Sequence, residues 1–577
     1  MSEGKSIDES LYSRQIYVLG VDAMKKLATS SVLVSGLGGL GVEIAKNIIL
    51  AGVSNVTIHD TRNCQQNDLA SNFYLKEADI GNNRAYSCLK SLSSLNEYVS
   101  VTAKTDELTN EFLINYKCVV ITDYHKESEI KRISRFCHEN DIKLILTGVC
   151  GVFAYMFNDF GNNFIVNDAT GEIPSRFLIS FITNNEKGLV TIAEDETYEI
   201  GDGDIIRFEE VEGMTELNGK EYQITVKDKR HFYIGDTSKF GKYTSQHRSG
   251  YGVQVIVPKV MHFLEYSEAL KKPEETINTP FDFCSFGRDQ QVILAFAAYQ
   301  RCLDQKDDEI DGKVTQKDII KYAKEINNEC KIVEEIDEGL LSEFARESSY
   351  SIAPTCATFG GIAGQEVIKA FSGKFTPVNQ FLAMGYIESL STKKEDLECT
   401  LMNDRYDPYR AVFGNKHHEI MMNLRYFIIG AGALGCEQLK NFALMGVAIK
   451  GKGKVFMTDM DSIERSNLNR QFLFRNSDIG KMKSEAAASA AREMNPSINI
   501  EAHQNKIGPE SSDIYNDDFY LSLDGVCNAL DNVQTRMFSD EMCVFYKKPL
   551  LESGTLGPKA HFQTIVPYLT ESYNSQQ

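Results

Sequence analysis

The sequence predicts an α/β protein with two pseudo-symmetric doubly wound sheets in one chain, plus a small β-barrel insertion and a helical-bundle insertion. Three observations predict it. The glycine fingerprint Gly36-Leu37-Gly38-Gly39-Leu40-Gly41 returns as Gly430-Ala431-Gly432-Ala433-Leu434-Gly435. Each copy follows an apolar run, Val32-Leu33-Val34 or Phe427-Ile428-Ile429, and opens a stretch of helical character. The flanks repeat as well: Leu40 to Asn47 matches Leu434 to Asn441, both reach a Gly-Val pair, and both later reach Asp-Ile-Gly at Asp79 and Asp478.

Each copy reads strand, glycine turn, helix, strand, the βαβ unit of a parallel Rossmann-like sheet. The first glycine makes the tight turn, the second lets the backbone approach a phosphate, and the third lets helix pack on strand. The helix start offers free N–H groups and a positive dipole end to an anion. The second strand ends at Asp60 or Asp459. The second copy carries a short insertion around Lys450-Gly451-Lys452-Gly453, expected as a hairpin extension. Between the copies the pattern changes twice. Short β-rich runs such as Val190-Thr191-Ile192 and Tyr222 to Val226, spaced by Gly, Asn and Asp, predict a small β-barrel. Val292 to Phe296 and Ile319 to Ala323 then read as helical. Thr358 to Ile368 is a small-residue helix, read as close packing because no Lys-Ser or Lys-Thr follows its glycines. Residues 392–408 read as a linker.

At 577 residues the chain has room for about four domains. The net charge of −20 argues against nucleic acid and anionic membranes as partners. Thirteen scattered cysteines without a C-x-x-C pair give no support for a zinc ribbon or a thioredoxin-type site. Cys150, Cys356 and Cys436 read as packing residues. The start is too polar for a signal peptide, and no apolar run is long enough for a bilayer span. These features predict an intracellular, reducing setting with mostly buried thiols.

The copies diverge just past the second strand. Aligned without gaps, Asp461 faces Arg62, Asn467 faces Asp68, Arg470 faces Ser71 and Lys483 faces Arg84. A triphosphate site needs cations and amide donors for phosphate and carboxylates for Mg²⁺. The second copy keeps all of these, whereas the first puts a cation where metal would bind. A third strand, Gly525 to Leu530, ends at Asp531-Asn532, where open parallel sheets bind ligands. Asp123 is expected in the equivalent place of the first copy.

Ser466 to Phe474, Asn528 to Val533, Glu552 to Gly557 and Tyr12-Ser13-Arg14-Gln15 resemble the signatures of the ubiquitin-activating enzymes and their bacterial relatives that adenylate small sulfur carriers. The resemblance covers nearly the whole chain, and with both halves in one polypeptide it is to the single-chain type. It implies an inactive adenylation domain at 1–174 and 349–400, a first catalytic-cysteine half-domain at 175–257, a four-helix bundle at 258–348, and an active adenylation domain at 401–577, incomplete at its C-terminus. It implies ATP and Mg²⁺ as cofactors. Gly430, Gly432, Gly435 and Asn532 would line the nucleotide and Asp459 would hold the ribose. Asp461 and Asp531 would bind the metal, and Asn467, Arg470, Gln471 and Lys483 would contact the phosphates. Arg14 would reach them from the inactive half. Arg470, Lys483, Arg14 and Asp531 would carry the chemistry. The implied partners are ubiquitin or a close ubiquitin-like modifier and, for the full-length protein, ubiquitin-conjugating enzymes. A monomer with an internal pseudo-dimer and a cytoplasmic and nuclear location are also implied.

The family's thioester cysteine and ubiquitin-fold domain are expected beyond the crossing loop that contains Tyr573, a residue placed to meet the modifier's tail. On this reading the chain adenylates but forms no thioester. Two alternatives fit less of the sequence. An NAD-dependent oxidoreductase accounts for the acidic end of the second strand but not for the Asn467-Arg470-Gln471 cluster. A non-catalytic scaffold leaves Asp461, Arg470, Lys483 and Asp531 without a role.

Overall fold

The computed structural model describes residues 7–123, 125–193, 200–245, 249–278, 285–305 and 314–576. It divides into two compact units, one formed by Met1–Phe164, His262–Ser372 and Pro377–Gln577, the other by Ile165–Met261 and Gly373–Thr376.

The larger unit holds both sheets. In the first, the central order is Ser100–Lys104, Asn55–His59, Ser31–Ser35, Cys118–Ile121, Lys143–Cys150, Phe153–Asp159. The first five strands run parallel and the sixth turns back antiparallel. The second sheet repeats this strand for strand: Ile500–His503, Lys454–Thr458, Arg425–Ile429, Gly525–Asn528, Leu550–Leu556, then antiparallel Lys559–Ile565. Central strands such as Cys118–Ile121 and Gly525–Asn528 are buried along their whole length, as strands covered on both faces must be. The first sheet gains two further strands, Phe381–Gly385 and Ile277–Asn278. The fold is thus α/β with a duplicated doubly wound sheet.

The two halves meet along their fingerprint helices, Gly39–Leu50 and Ala433–Met445. There the repeated Glu-x-x-Lys closes a four-charge ring. Lys46 binds Glu43 at 2.7 Å and Glu437 at 2.5 Å, while Lys440 binds Glu437 at 2.8 Å and also pairs with Glu43. Phe73 and Phe472, themselves counterparts, flank the ring with centroids 5.4 Å apart. Lys46 lies over Phe472 at 4.4 Å and Lys440 over Phe73 at 5.2 Å. The helix Ala353–Ser372 packs on Gly39–Leu50 through its small residues. A Cβ at Gly360 would stand 2.4 Å from the Cβ of Glu43, so these glycines serve close approach.

Helices Arg288–Gln305, Gln316–Cys330 and Glu338–Glu347 bury Val292, Phe296, Ile319 and Leu341 in one cluster with Phe153 and Tyr155 of the first sheet. At the end of this group Glu347 is fully buried, accepting from the Val152 N–H at 2.8 Å and from Arg346 at 2.6 Å. Burial pushes its carboxyl up to about 8, against the pull of Arg346. The folded state therefore holds a proton that the unfolded state has released, and stability falls as pH rises from the ordinary carboxylate range through about 8. Denaturation of Glu347→Gln across pH 5 to 9 is expected to lack this loss.

The expected linker at 392–408 is shorter. A helix begins at Asp407 with Pro408 in its first turn, where a missing N–H costs nothing. The preceding turn Lys394–Leu397 is tied back onto that helix by Asp396–Lys416 at 2.8 Å. Cys150, Cys356 and Cys436 are buried. No helix among the described residues is long and apolar enough to cross a membrane.

Among the described residues the smaller unit is built on an antiparallel sheet of seven strands, ordered Glu221–Gln223, Ile205–Glu209, Tyr251–Val255, Arg176–Ile182, Leu189–Ile192, His231–Tyr233, Thr225–Asp228. Only Ile224 separates its two outermost strands in the chain, so the sheet curls round on itself. Alternate residues, including Val190, Ile206, Phe208 and Phe232, fill the inside.

Candidate active site

Both fingerprints form the same turn. Gly36 and Gly430 have φ of 95° and 102°, which side-chain-bearing residues rarely adopt. A Cβ at Gly41 or Gly435 would lie within 2.0 Å of the carbonyl of Gly36 or Gly430. Above the turn the copies part. A Cβ at Gly38 would meet Asp123 at 3.3 Å and Arg84 at 3.5 Å, whereas at Gly432 it would meet nothing nearer than the Gln471 amide nitrogen at 3.9 Å.

The space over Gly38 is filled by the chain's own ions. Arg84 donates through Nε to Asp60 at 2.8 Å and through Nη1 to Asp68 at 3.0 Å, and it also pairs with Asp123. Arg62 pairs with Asp123 too. Two guanidinium groups and three carboxylates satisfy one another, leaving there, among the described residues, no cation for phosphate and no bare carboxylate pair for a metal. The expected equivalence of Asp123 with Asp531 is off by one residue. Ser35 pairs with Ile121 and its counterpart Ile429 with Asn528, so Asp123 corresponds to Leu530. A side chain one place earlier on the strand exit turns into the site, and Asp123 plugs it.

In the second copy Asp459 accepts the N–H of Ala431 at 2.7 Å and of Asp461 at 2.9 Å, as Asp60 does for Leu37 and Arg62. Among the described residues no arginine pairs with Asp459, and burial raises its carboxyl above the ordinary value. Lys483 pairs with Asp461 at 2.7 Å. Asn467 caps its own turn, accepting the Glu464 N–H at 2.9 Å, which leaves its amide donor for a ligand. Gln471 is buried and its Oε1 has no partner among the described residues. Its amide nitrogen, the atom nearest the open turn, is a donor of the kind a phosphate needs. Gly430 packs on Ala529, which sets Asp531 two residues past the turn. Asp531 is exposed, with no side-chain partner among the described residues, and Asn532 caps the helix Val533–Phe545 through the Thr535 N–H at 2.8 Å.

Arg470 donates to the Ser466 carbonyl at 2.6 Å and to Asn469 at 3.1 Å. Burial, and then the like charge of Arg14, push its guanidinium below the ordinary value. Arg14 stands on the helix Glu9–Leu19 of the first half, which packs on the turn Arg465–Asn467 of the second. It has no hydrogen-bond or ion partner among the described residues. Two cations close enough to repel one another suit an anion between them. The duplication supplies a control that the sequence comparison missed. Tyr12 and Tyr406 are counterparts, held by Asn96 at 2.7 Å and Asn495 at 2.9 Å. The same spacing puts Pro408 opposite Arg14. The pair Arg14 and Arg470 at the second turn is thus Pro408 and Ser71 at the first.

Asp461 and Asp531 are the carboxylates available to a cation. Among the described residues no group of three or more His, Cys, Asp or Glu could hold a metal alone. That suits Mg²⁺, which commonly takes one or two carboxylates and completes its shell with water and phosphate. Tyr573 is tied to the second half: its N–H and that of Asn574 donate to Asp540 at 3.1 Å.

The ThiF family matches residues 12–404 and 406–577. "Ubiquitin-like modifier-activating enzyme 1" of Oryctolagus cuniculus is 45% identical over 580 residues, covering 99% of this chain and 54% of that protein. The Homo sapiens protein of the same name is 46% identical with the same coverage. "Ubiquitin-activating enzyme E1 1" of Triticum aestivum is 44% identical over 583 residues, covering 100% of this chain and 55% of that protein. The chain spans about half the length of the curated relatives it matches.

Proposed function

The chain belongs to the ThiF family, and from that premise we propose that it activates ubiquitin, or a close ubiquitin-like modifier, by ATP-dependent adenylation of the modifier's C-terminal glycine. The glycine carboxylate attacks the α-phosphate of ATP, giving an acyl adenylate and releasing pyrophosphate. Little covalent work falls to the protein in such a step; positioning and charge neutralisation carry it. Asp459 holds the ribose, and the backbone at Gly432 with the amides of Asn467 and Gln471 cradles the phosphates. Arg470, Arg14 and Lys483 offset their charge. Asp461 and Asp531 would hold Mg²⁺, which would supply further charge neutralisation. In the full-length protein the further partners would be ubiquitin-conjugating enzymes, in the cytoplasm and nucleus, and the working form is a monomer with an internal pseudo-dimer.

One observation carries the assignment to the second half: the turn at Gly432 is open, with the Gln471 amide nitrogen its nearest neighbour at 3.9 Å, while its counterpart at Gly38 is closed by Asp123 and Arg84. ATP–pyrophosphate exchange tests the function. Exchange is expected with ubiquitin or a close modifier and is expected to be lost in Asp531→Ala. Ser71→Ala, at the counterpart of Arg470, is expected to leave the rate unchanged. Absence of exchange with every modifier tried would refute the reading.

A further inference from the structure

Asp8 is the N-cap of the helix that carries Arg14. Its Oδ1 accepts the N–H groups of Ser10 at 3.0 Å and Leu11 at 3.2 Å, and the Ser10 hydroxyl at 2.6 Å. Its Oδ2 accepts at 2.7 Å both from the Tyr98 hydroxyl of the same half and from Arg465 Nη2 of the other half. Arg465 also donates to the Tyr98 oxygen at 3.3 Å. One carboxylate therefore joins three segments: the start of the Arg14 helix, the loop after Ser93, and the turn Arg465–Asn467 that leads into Arg470. Hydrogen bonds from Ser10, Tyr98 and Arg465 hold the Asp8 carboxyl well below the usual range, so the bridge stays charged at neutral pH.

The duplication again provides the comparison. The spacing that pairs Tyr12 with Tyr406 and Asn96 with Asn495 puts Met402 opposite Asp8, Gln66 opposite Arg465 and Ser497 opposite Tyr98. None of these three can make a carboxylate bridge. At the first turn the corresponding helix, Asp407–Met422, is held differently. Arg405 donates to the Leu69 carbonyl at 3.0 Å and the Tyr409 hydroxyl to the Ala70 carbonyl at 2.7 Å, both from buried side chains. The ionic latch and the arginine pair occur together on one side of the molecule and are absent together from the other. Arg465 is 48% exposed, and a pair so open to water adds little to stability, so cohesion is a poor reason for it.

We propose that Asp8, Arg465 and Tyr98 are positioning residues that hold the helix Glu9–Leu19 so that Arg14 faces Arg470 across the phosphate turn. The proposal rests on the adenylation reading above. Arg14 would act through the transition state, and its misplacement lowers the rate without weakening ATP binding.

The test compares Arg465→Gln, Arg465→Lys and Asp8→Asn, the last of which keeps a good N-cap, each with and without Arg14→Ala. Two readouts are taken: modifier-dependent ATP–pyrophosphate exchange, and amide hydrogen exchange along Glu9–Leu19. Arg465→Gln is expected to lower kcat about tenfold with KM for ATP unchanged, and to reduce amide protection in the helix. Arg465→Lys restores most of both, and neither substitution lowers the rate further once Arg14 is Ala. An unchanged kcat, or the same fall in the Arg14→Ala background, overturns the proposal. If the unmodified chain exchanges with no modifier, the adenylation reading fails on its own account. Amide protection then decides the latch: loss in Arg465→Gln supports it and unchanged protection overturns it.

Discussion

Arg470→Ala is expected to lower modifier-dependent ATP–pyrophosphate exchange by roughly 10²–10³-fold (~3–4 kcal/mol), the usual cost of removing one preorganised donor aimed at transition-state charge. The structure gives this loss a distinctive companion. Arg470 is partly buried and repelled by Arg14, so the guanidinium is held where it is costly in the free protein. Removing it relieves that repulsion. Thermal stability is therefore expected to stay level or rise while the rate collapses. Arg470→Lys keeps the charge but loses the planar fork, and should recover only part of the rate. A substitution that lowered both stability and rate in proportion would assign Arg470 to the fold instead.

Lys440→Met is expected to destabilise the larger unit by about 3–5 kcal/mol, the cost of breaking a buried ion pair on one side. Glu43, Lys46 and Lys440 are each at most 1% exposed, and the ring is neutral only when all four members are present. Met fills the space of the lysine stem but leaves Glu43 and Glu437 without half of their counter-charge. Glu437→Gln should cost less, because Glu437 is 35% exposed and water screens its loss. Changing all four to apolar residues of similar volume should recover most of the stability, since replacing a whole buried ion cluster is often neutral. A denaturant titration of the three variants checks the order: single Lys440→Met worst, Glu437→Gln milder, the quadruple change nearest the parent.

Much of this architecture was legible in the sequence because it is written twice. The glycine turns, the acidic ends at Asp60 and Asp459, and the exchange of Arg470 for Ser71 needed only an alignment of the chain with itself. Asp459, Asp461 and Lys483 meet past one strand exit, a short stretch of chain from Asn467, Arg470 and Gln471. What could not be read were contacts set by packing across the repeat. Asp123 looks like an ordinary loop aspartate until strand register shows it one place short of Asp531 and turned into the first site. Arg14 could be placed by resemblance, but its counterpart Pro408 emerges only once Tyr12 and Tyr406 are seen in matching pockets. The repeat showed Glu43-x-x-Lys46 and Glu437-x-x-Lys440 as helix residues. That the two helices stack them into a single ring depends on how the halves dock, which no local pattern encodes.

The measurement that bears most directly on the central claim is the stoichiometry of ATP-Mg²⁺ binding in the parent chain and in two matched variants, Gly432→Ala and Gly38→Ala. An added methyl at Gly432 meets nothing nearer than 3.9 Å, so it disturbs only a ligand approaching the turn, and at Gly38 it meets Asp123 at a tolerable 3.3 Å. The account predicts one ATP per chain, lost or much weakened in Gly432→Ala and unchanged in Gly38→Ala. Two ATP per chain, or binding lost in Gly38→Ala and retained in Gly432→Ala, would contradict it.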